Sequence, residues 1–205
     1  MNQTAKTYID LFRSVKIASA STVDSAGHPQ SRIINIMIAN DEGMVIVTSR
    51  GKPFWKQLMD TGEIALSAMC PDCQSLKFTG KIRRLEEHKK WVDAVFEQNP
   101  GMNEVYPGES RYALDAFLIY EGNGEWFDLL HYPISRERFA YGGAVPEDVG
   151  FRIEESCISC NRCAEVCPQK CIVPGTPYQI IWEHCLQCGL CVENCPAGAI
   201  TRLHP

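Results

Sequence analysis

Eight cysteines near the end of this 205-residue chain have the types and spacing to do chemistry together. The first four run Cys157-Ile-Ser-Cys160-Asn-Arg-Cys163-Ala-Glu-Val-Cys167-Pro168. The second four run Cys185-Leu-Gln-Cys188-Gly-Leu-Cys191-Val-Glu-Asn-Cys195-Pro196, 28 positions later. Thiolates in such a run hold an iron–sulfur cluster, and a double run holds two. Paired zinc sites are the alternative, but three close cysteines plus a distant Cys-Pro are far more specific than two-cysteine knuckles. The prolines turn the chain away after each remote ligand. Gly189, between ligands, lets the backbone approach a cluster, and Asn161 at the same place in the first run tolerates that backbone better than most residues.

A second constellation lies far upstream. Thr48, Ser49 and Arg50 end a β-rich stretch, Gly51 turns, and Pro53 suits the first turn of a helix. The N–H groups and positive dipole end of a helix start favour a phosphate. Lys52 stands there, Lys56 is one turn on and able to reach back, and Arg32 on a neighbouring strand can add a bidentate contact. A phosphate cradle and a solvated basic turn both fit these residues.

Other reactive side chains have plainer readings. Overlaying the repeats puts Cys171 opposite Ala199, so it reads as a small buried hydrophobe rather than a ligand. Cys70 and Cys73 read as two unpaired thiols in a loop; a redox disulfide or a four-thiolate metal site across a dimer are the alternatives. His28 reads as a solvated turn residue, His184 as a hydrogen-bonding neighbour of a cluster, and Trp91 and Trp126 as core or interface residues.

The elements that must position these groups follow from the apolar pattern. Helices are expected over Thr4–Ser14, from Lys52 or Pro53 to Thr61-Gly62, and over Glu86–Gln98. Strands are expected over Lys16–Val23, Ser31–Ala39 (buried), Met44–Ser49, Glu63–Met69 and Ser75–Leu85. A last hairpin is expected from Tyr112–Tyr120 and Glu125–Leu130, about Gly122-Asn-Gly124. The predicted fold class is mainly β with peripheral helices: a small antiparallel barrel, then a small α+β module. The predicted domains are 1–130, a linker over 131–150, and 151–205. The chain is 45% apolar and 22% charged with net charge −5. That composition points away from nucleic acid. No apolar run reaches membrane-spanning length, and the start at Met1-Asn2-Gln3 lacks a signal-peptide pattern. The expected setting is a reducing cytoplasm.

Two resemblances add to this. Residues from about Tyr8 to Asp128 resemble the FMN-binding split barrel of the pyridoxamine 5′-phosphate oxidase superfamily, most closely its short members from anaerobic bacteria. The likeness is carried by Ala18 through Pro29, by Ser31-Arg32-Ile33-Ile34-Asn35, and by Val47 through Leu58 leading into Ile64-Ala65-Leu66-Ser67. It implies FMN at a homodimer interface, with the flavin edge along Arg32, Ile33, Ile34 and Asn35. It places the phosphate near Thr48, Ser49, Lys52 and Lys56, and Arg50 of the basic turn joins the cofactor-binding candidates. The longer members' substrate-binding C-terminal segment has no counterpart here, so a true pyridoxamine phosphate oxidase is not expected. The tail, Phe151 to Leu203, resembles the bacterial two-cluster ferredoxin, in which the fourth cysteine of each run serves the other cluster. That implies two [4Fe-4S] clusters, one on Cys157, Cys160, Cys163 and Cys195 and the other on Cys185, Cys188, Cys191 and Cys167.

Together these imply an FMN-dependent oxidoreductase in which electrons pass through the clusters to or from flavin, with a small organic substrate. The alternative is a carrier between protein partners, such as a ferredoxin, with no substrate of its own. A third reading is a degenerate barrel that holds no flavin; the joint presence of Arg32, Thr48, Lys52 and Lys56 argues against it. The sequence has no Gly-x-Gly-x-x-Gly for a dinucleotide.

Overall fold

The computed structural model describes residues 3–203. Met1 and Asn2, which open the N-terminus read as leaderless, and His204 and Pro205, the end of the predicted tail domain, lie outside the described residues. Among the described residues no helix is long and apolar enough to cross a membrane.

Helix α1 (Gln3–Val15) spaces Ala5, Tyr8, Ile9 and Phe12 along one side, and all four are buried. Burying a side chain such as Ile9 or Phe12 contributes about 1.5–3 kcal/mol each. Strand β1 (Ile17–Val23) alternates, turning Ala18, Ala20 and Thr22 inward. It pairs antiparallel with β2 (Pro29–Asn35) from Ile17↔Asn35 to Val23↔Pro29.

The single buried strand expected over Ser31–Ala39 is two strands. The break falls at Ile36-Met37, between β2 and β3 (Ile38–Asn40). The chain changes partners there: Ile36 N–H donates to the Lys16 carbonyl, whereas Met37 N–H donates to the Val45 carbonyl. As a result β2 is an edge strand and Ile33 is 70% exposed rather than buried.

Strand β4 (Gly43–Ser49) leads into helix α2 (Pro53–Thr61), which Gly62 ends in the left-handed conformation. There follow β5 (Glu63–Met69), β6 (Ser75–Arg84), α3 (His88–Gln98), the short α4 (Met102–Val105), β7 (Leu114–Asp128) and β8 (Ser135–Tyr141). The sheet order is β2-β1-β5-β6-β7-β4-β3, with β8 also paired to β7.

Both faces of β4 and β7 are covered. Met44, Ile46, Phe117 and Ile119 face a core shared with α1 and α2. Val45, Ala116 and Leu118 face a second core with Val92, Val95 and Phe96 of α3. A period of two therefore appears as a continuous apolar run.

The expected hairpin about Gly122-Asn-Gly124 is absent, because these residues lie inside the continuous β7. A Cβ on Gly122 would stand 2.3 Å from the Thr79 carbonyl oxygen and 2.6 Å from Gly80 Cα. One on Gly124 would stand 2.1 Å from the Phe139 ring. The glycines serve close approach of a neighbouring strand and an aromatic ring, not a turn.

The chain divides into two compact units. One takes residues up to Trp126 together with Arg138–Pro146; the other takes Phe127–Glu137 and the residues from Glu147 on. The stretch 131–150, read as a linker, thus contains β8 and contributes to both units. In the first unit Phe139 stacks on Tyr8 with ring centroids 4.8 Å apart.

The second unit contains β9 (Gly150–Ile153), α5 (Arg162–Val166), β10 (Ile172–Val173), β11 (Gln179–Ile180), α6 (Leu190–Glu193) and β12 (Ile200–Leu203). β9 pairs with β12 and β10 with β11, all antiparallel. The sequence repeat is a backbone repeat: Ser159 and Gln187, Asn161 and Gly189, and Lys170 and Gly198 are all left-handed. Asn161 and Gly189, at φ 68° and 86°, open the two equivalent short helices.

Candidate functional site

The second unit gathers its thiols round two small cavities. Cys157, Cys160, Cys163 and Cys195 line the first. Cys167, Cys185, Cys188 and Cys191 line the second, joined by Cys171. Each cavity thus takes three cysteines from one run and the remote one from the other. Among the described residues, no three His, Cys, Asp or Glu side chains converge tightly enough for one metal ion. Four soft donors round each cavity fit the iron–sulfur group that thiolate runs of this spacing hold.

The local backbone prepares the sulfurs. Gln187 N–H donates to Cys185 Sγ and Ala199 N–H to Cys195 Sγ, both at 3.3 Å. N–H groups of Tyr178 and Ser159 hold the Cys157 thiol below its usual range. Burial pushes the equivalent Cys163 and Cys191 upward, Cys191 to about 11. Bound iron would offset that cost, because a ligating thiol is deprotonated outright.

Cys171 is 3% exposed, as its small buried position requires. Its sulfur lies 3.5 Å from Cys167 Sγ and hydrogen-bonds Cys185, which lowers the Cys185 thiol and raises Cys171. His184 Nδ1–H donates to the Ile134 carbonyl at 2.7 Å. Arg136 is 6% exposed, with its guanidinium 4.4 Å over Phe127 and 5.9 Å from the Trp182 ring. Its charge reaches Cys185. Nothing in the cysteine spacing marks Arg136, which lies in the stretch read as linker.

In the first unit, α2 gathers part of the predicted flavin set. Arg32 and Ile34 pair with the inward Ala20 and Ala18, whereas Ile33 and Asn35 pair with the outward Ser19 and Ile17. The four side chains therefore divide between the two faces of β2. Arg32 turns to α2: Nη2 donates to Gln57 Oε1 at 2.8 Å and Nη1 to Thr22 Oγ1 at 2.7 Å, while the guanidinium sits 4.4 Å over Phe54.

Thr48 pairs with Asp115 on the α2 side of the sheet and is buried. Ser49 points the other way, its hydroxyl 2.9 Å from Tyr106 Oη. Arg50 is held by the buried Asp115 at 3.1 Å and by the Tyr112 carbonyl at 2.7 Å. Lys52, the N-cap residue of α2, is exposed, and no side chain caps that helix start. Lys56 does not reach back; it pairs forward with Asp60 at 2.8 Å, as four-residue helical spacing favours.

Two organising residues carried no motif. Gln57, buried, accepts from both Thr22 and Arg32. Asp115, 2% exposed, accepts from Arg50 and from Trp55 Nε1 at 2.7 Å, with Arg84 and His88 close by. A polar residue on an otherwise apolar face was the available signal for each.

Residues 151–173 and 178–201 match the family model of the 4Fe-4S binding domain. The tail is a 4Fe-4S binding domain. No curated protein sequence matches the chain. Among solved structures, the chain is similar to a NimC/NimA family protein from Clostridium acetobutylicum. That pair is 15% identical, with 67% of this chain and 94% of that one covered and a TM-score of 0.56. It is also similar to a protein of the same organism related to general stress protein 26 of the pyridoxinephosphate oxidase family. There the identity is 15%, the coverage 68% and 96%, and the TM-score 0.53. A heme-binding protein from Mycobacterium smegmatis is similar at 12% identity, covering 69% of this chain and 59% of that one, with a TM-score of 0.52. These likenesses concern the fold: the first unit is a split barrel, mostly β.

Proposed function

We propose that the protein is a flavin- and iron–sulfur-dependent oxidoreductase. In this reading two [4Fe-4S] clusters exchange electrons with an FMN that reduces a small organic substrate. The observation that carries it is the joining, on one chain, of a 4Fe-4S binding domain to a split barrel whose α2 start is uncapped beside Arg32 and Lys52. When bound, the clusters supply one-electron transfer and the flavin couples it to two-electron chemistry.

The chain's own residues have separate tasks in this reading. Cys157, Cys160, Cys163 and Cys195 hold one cluster, and Cys167, Cys185, Cys188 and Cys191 the other. At the barrel, the Phe54 N–H at the start of α2, Lys52 and the Thr48 hydroxyl receive the FMN phosphate. Arg32 is oriented toward it by Gln57 and Thr22. Ser49 and Arg50 fix the turn through Tyr106 and Asp115 rather than meet the phosphate through their side chains. Lys56 takes part by leaving Asp60, an exposed pair whose loss costs about 0.3–0.5 kcal/mol. The outward face of β1, β2 and β5 carries the exposed Ile17, Val23, Ile33 and Met69 beside small serines, and a second copy of the chain is the proposed occupant.

The test is anaerobic purification followed by acid release. About one FMN and about eight irons per chain support the reading. Iron without any releasable FMN overturns its flavin half, and heme in place of flavin redirects it.

A further inference from the structure

We infer that Gln169 donates a side-chain hydrogen bond to the second cluster, one that the first cluster lacks, and thereby raises the second cluster's reduction potential. This rests on the two-cluster reading above. Overlaying the two cysteine runs puts Gln169 opposite Ala197, each two positions after its run's remote ligand. Gln169 lines the second cavity together with Cys167, and Ala197 lines the first together with Cys195. The repeat thus offers an amide at one site and a methyl group at the equivalent place of the other.

The amide is unsatisfied within the protein. Gln169 Oε1 is buried without a hydrogen-bond partner among the described residues, and a buried polar atom left unpaired is costly. Thiolates and cluster sulfides only accept hydrogen bonds, so they match the other end of the amide. A half-turn about χ3, a broad two-fold torsion, exchanges Oε1 for the donating Nε2. An N–H at a cluster sulfur bonds the reduced form more strongly, because that form carries the added negative charge; the potential therefore rises. Gln187 supplies a control. Its Nε2 is also buried without a partner, but Gln187 lines neither cavity.

The experiment uses the intact protein, purified anaerobically, as wild type, Q169M and Q187M. Methionine keeps the length of the side chain and removes the donor. An EPR-monitored redox titration follows both clusters, with paramagnetic NMR of the cysteine β-protons to assign them. HYSCORE of the reduced protein, made with glutamine isotopically labelled at the side-chain nitrogen, detects the hydrogen bond itself. Expected are a labelled-nitrogen coupling at the second cluster in wild type and Q187M, its loss in Q169M, and a lower potential in Q169M for the second cluster alone. No coupling in the wild type overturns the inference, whether or not Q169M assembles its clusters. So does a coupling that survives in Q169M, or a potential that is unchanged there or moves equally in both clusters. Wild-type protein with only about four irons overturns the two-cluster reading itself, a failure distinct from the others.

Discussion

Arg32 Nη2 donates to Gln57 Oε1 at 2.8 Å, and the same oxygen accepts from Thr22 Oγ1 at 2.6 Å. One buried amide thus ties the edge of the sheet to the helix whose start is the proposed phosphate cradle. The Gln57→Leu variant keeps the bulk and removes the acceptor. It takes the acceptor from the buried Thr22 O–H and from Arg32 Nη2 while Arg32 Nη1 keeps Thr22 Oγ1, so denaturant unfolding is expected to show a loss of about 1–3 kcal/mol. Flavin retention falls with it, because Arg32 is no longer aimed.

Lys52, Arg50 and Lys56 separate binding from architecture. Lys52→Ala is expected to weaken FMN binding with stability changed by less than about 0.5 kcal/mol, since the side chain is exposed. Arg50→Ala removes a partner of the buried Asp115 and leaves the Tyr112 carbonyl without its donor. A stability loss of about 1–3 kcal/mol is expected there. Lys56→Ala should change flavin affinity less than Lys52→Ala. Equilibrium dialysis with FMN beside unfolding curves checks all three, and equal FMN loss in Arg50→Ala and Lys52→Ala without a stability change would contradict the division.

Gly122→Ala tests the long β7. The added methyl meets the Thr79 carbonyl and the Gly80 backbone, which cannot swing aside as a flexible side chain can. A loss of about 3 kcal/mol is expected in thermal unfolding, whereas a glycine in an exposed turn would accept alanine at smaller cost.

This glycine pair also shows how far the sequence could be read. The helix after Lys52 and the strand Glu63–Met69 follow from local signals: proline at the start, glycine at the end, clean alternation. The turn at Gly122-Asn-Gly124 fails because a glycine admitted for close approach looks, one residue at a time, like a glycine admitted for a bend. Likewise the break at Ile36-Met37 is a change of hydrogen-bonding partners, which no apolar pattern records. The cysteine spacing marked the eight thiols, and the resemblance to two-cluster ferredoxins implied the division into two sets seen round the two cavities. Neither hinted at Arg136 or at the contact between Cys167 and Cys171, which depend on the folded chain.

Arg136→Met should lower the reduction potential of the cluster proposed on Cys185 relative to the one proposed on Cys157. The variant keeps much of the side chain's bulk and removes a buried positive charge that favours added electrons. An EPR-monitored redox titration resolves the two clusters, and paramagnetic NMR of the cysteine β-protons assigns them. Equal shifts in both clusters, or none, would contradict the local charge effect.

The central claim is that the clusters and the flavin exchange electrons within one protein. Stopped-flow mixing of the anaerobic protein with a one-electron donor measures it most directly, in wild type and in a Cys157→Ala/Cys185→Ala variant that keeps its FMN. The account predicts that bleaching of the clusters precedes flavin reduction in the wild type, and that flavin reduction slows at least tenfold in the variant. Flavin reduction at the same rate in both would contradict it.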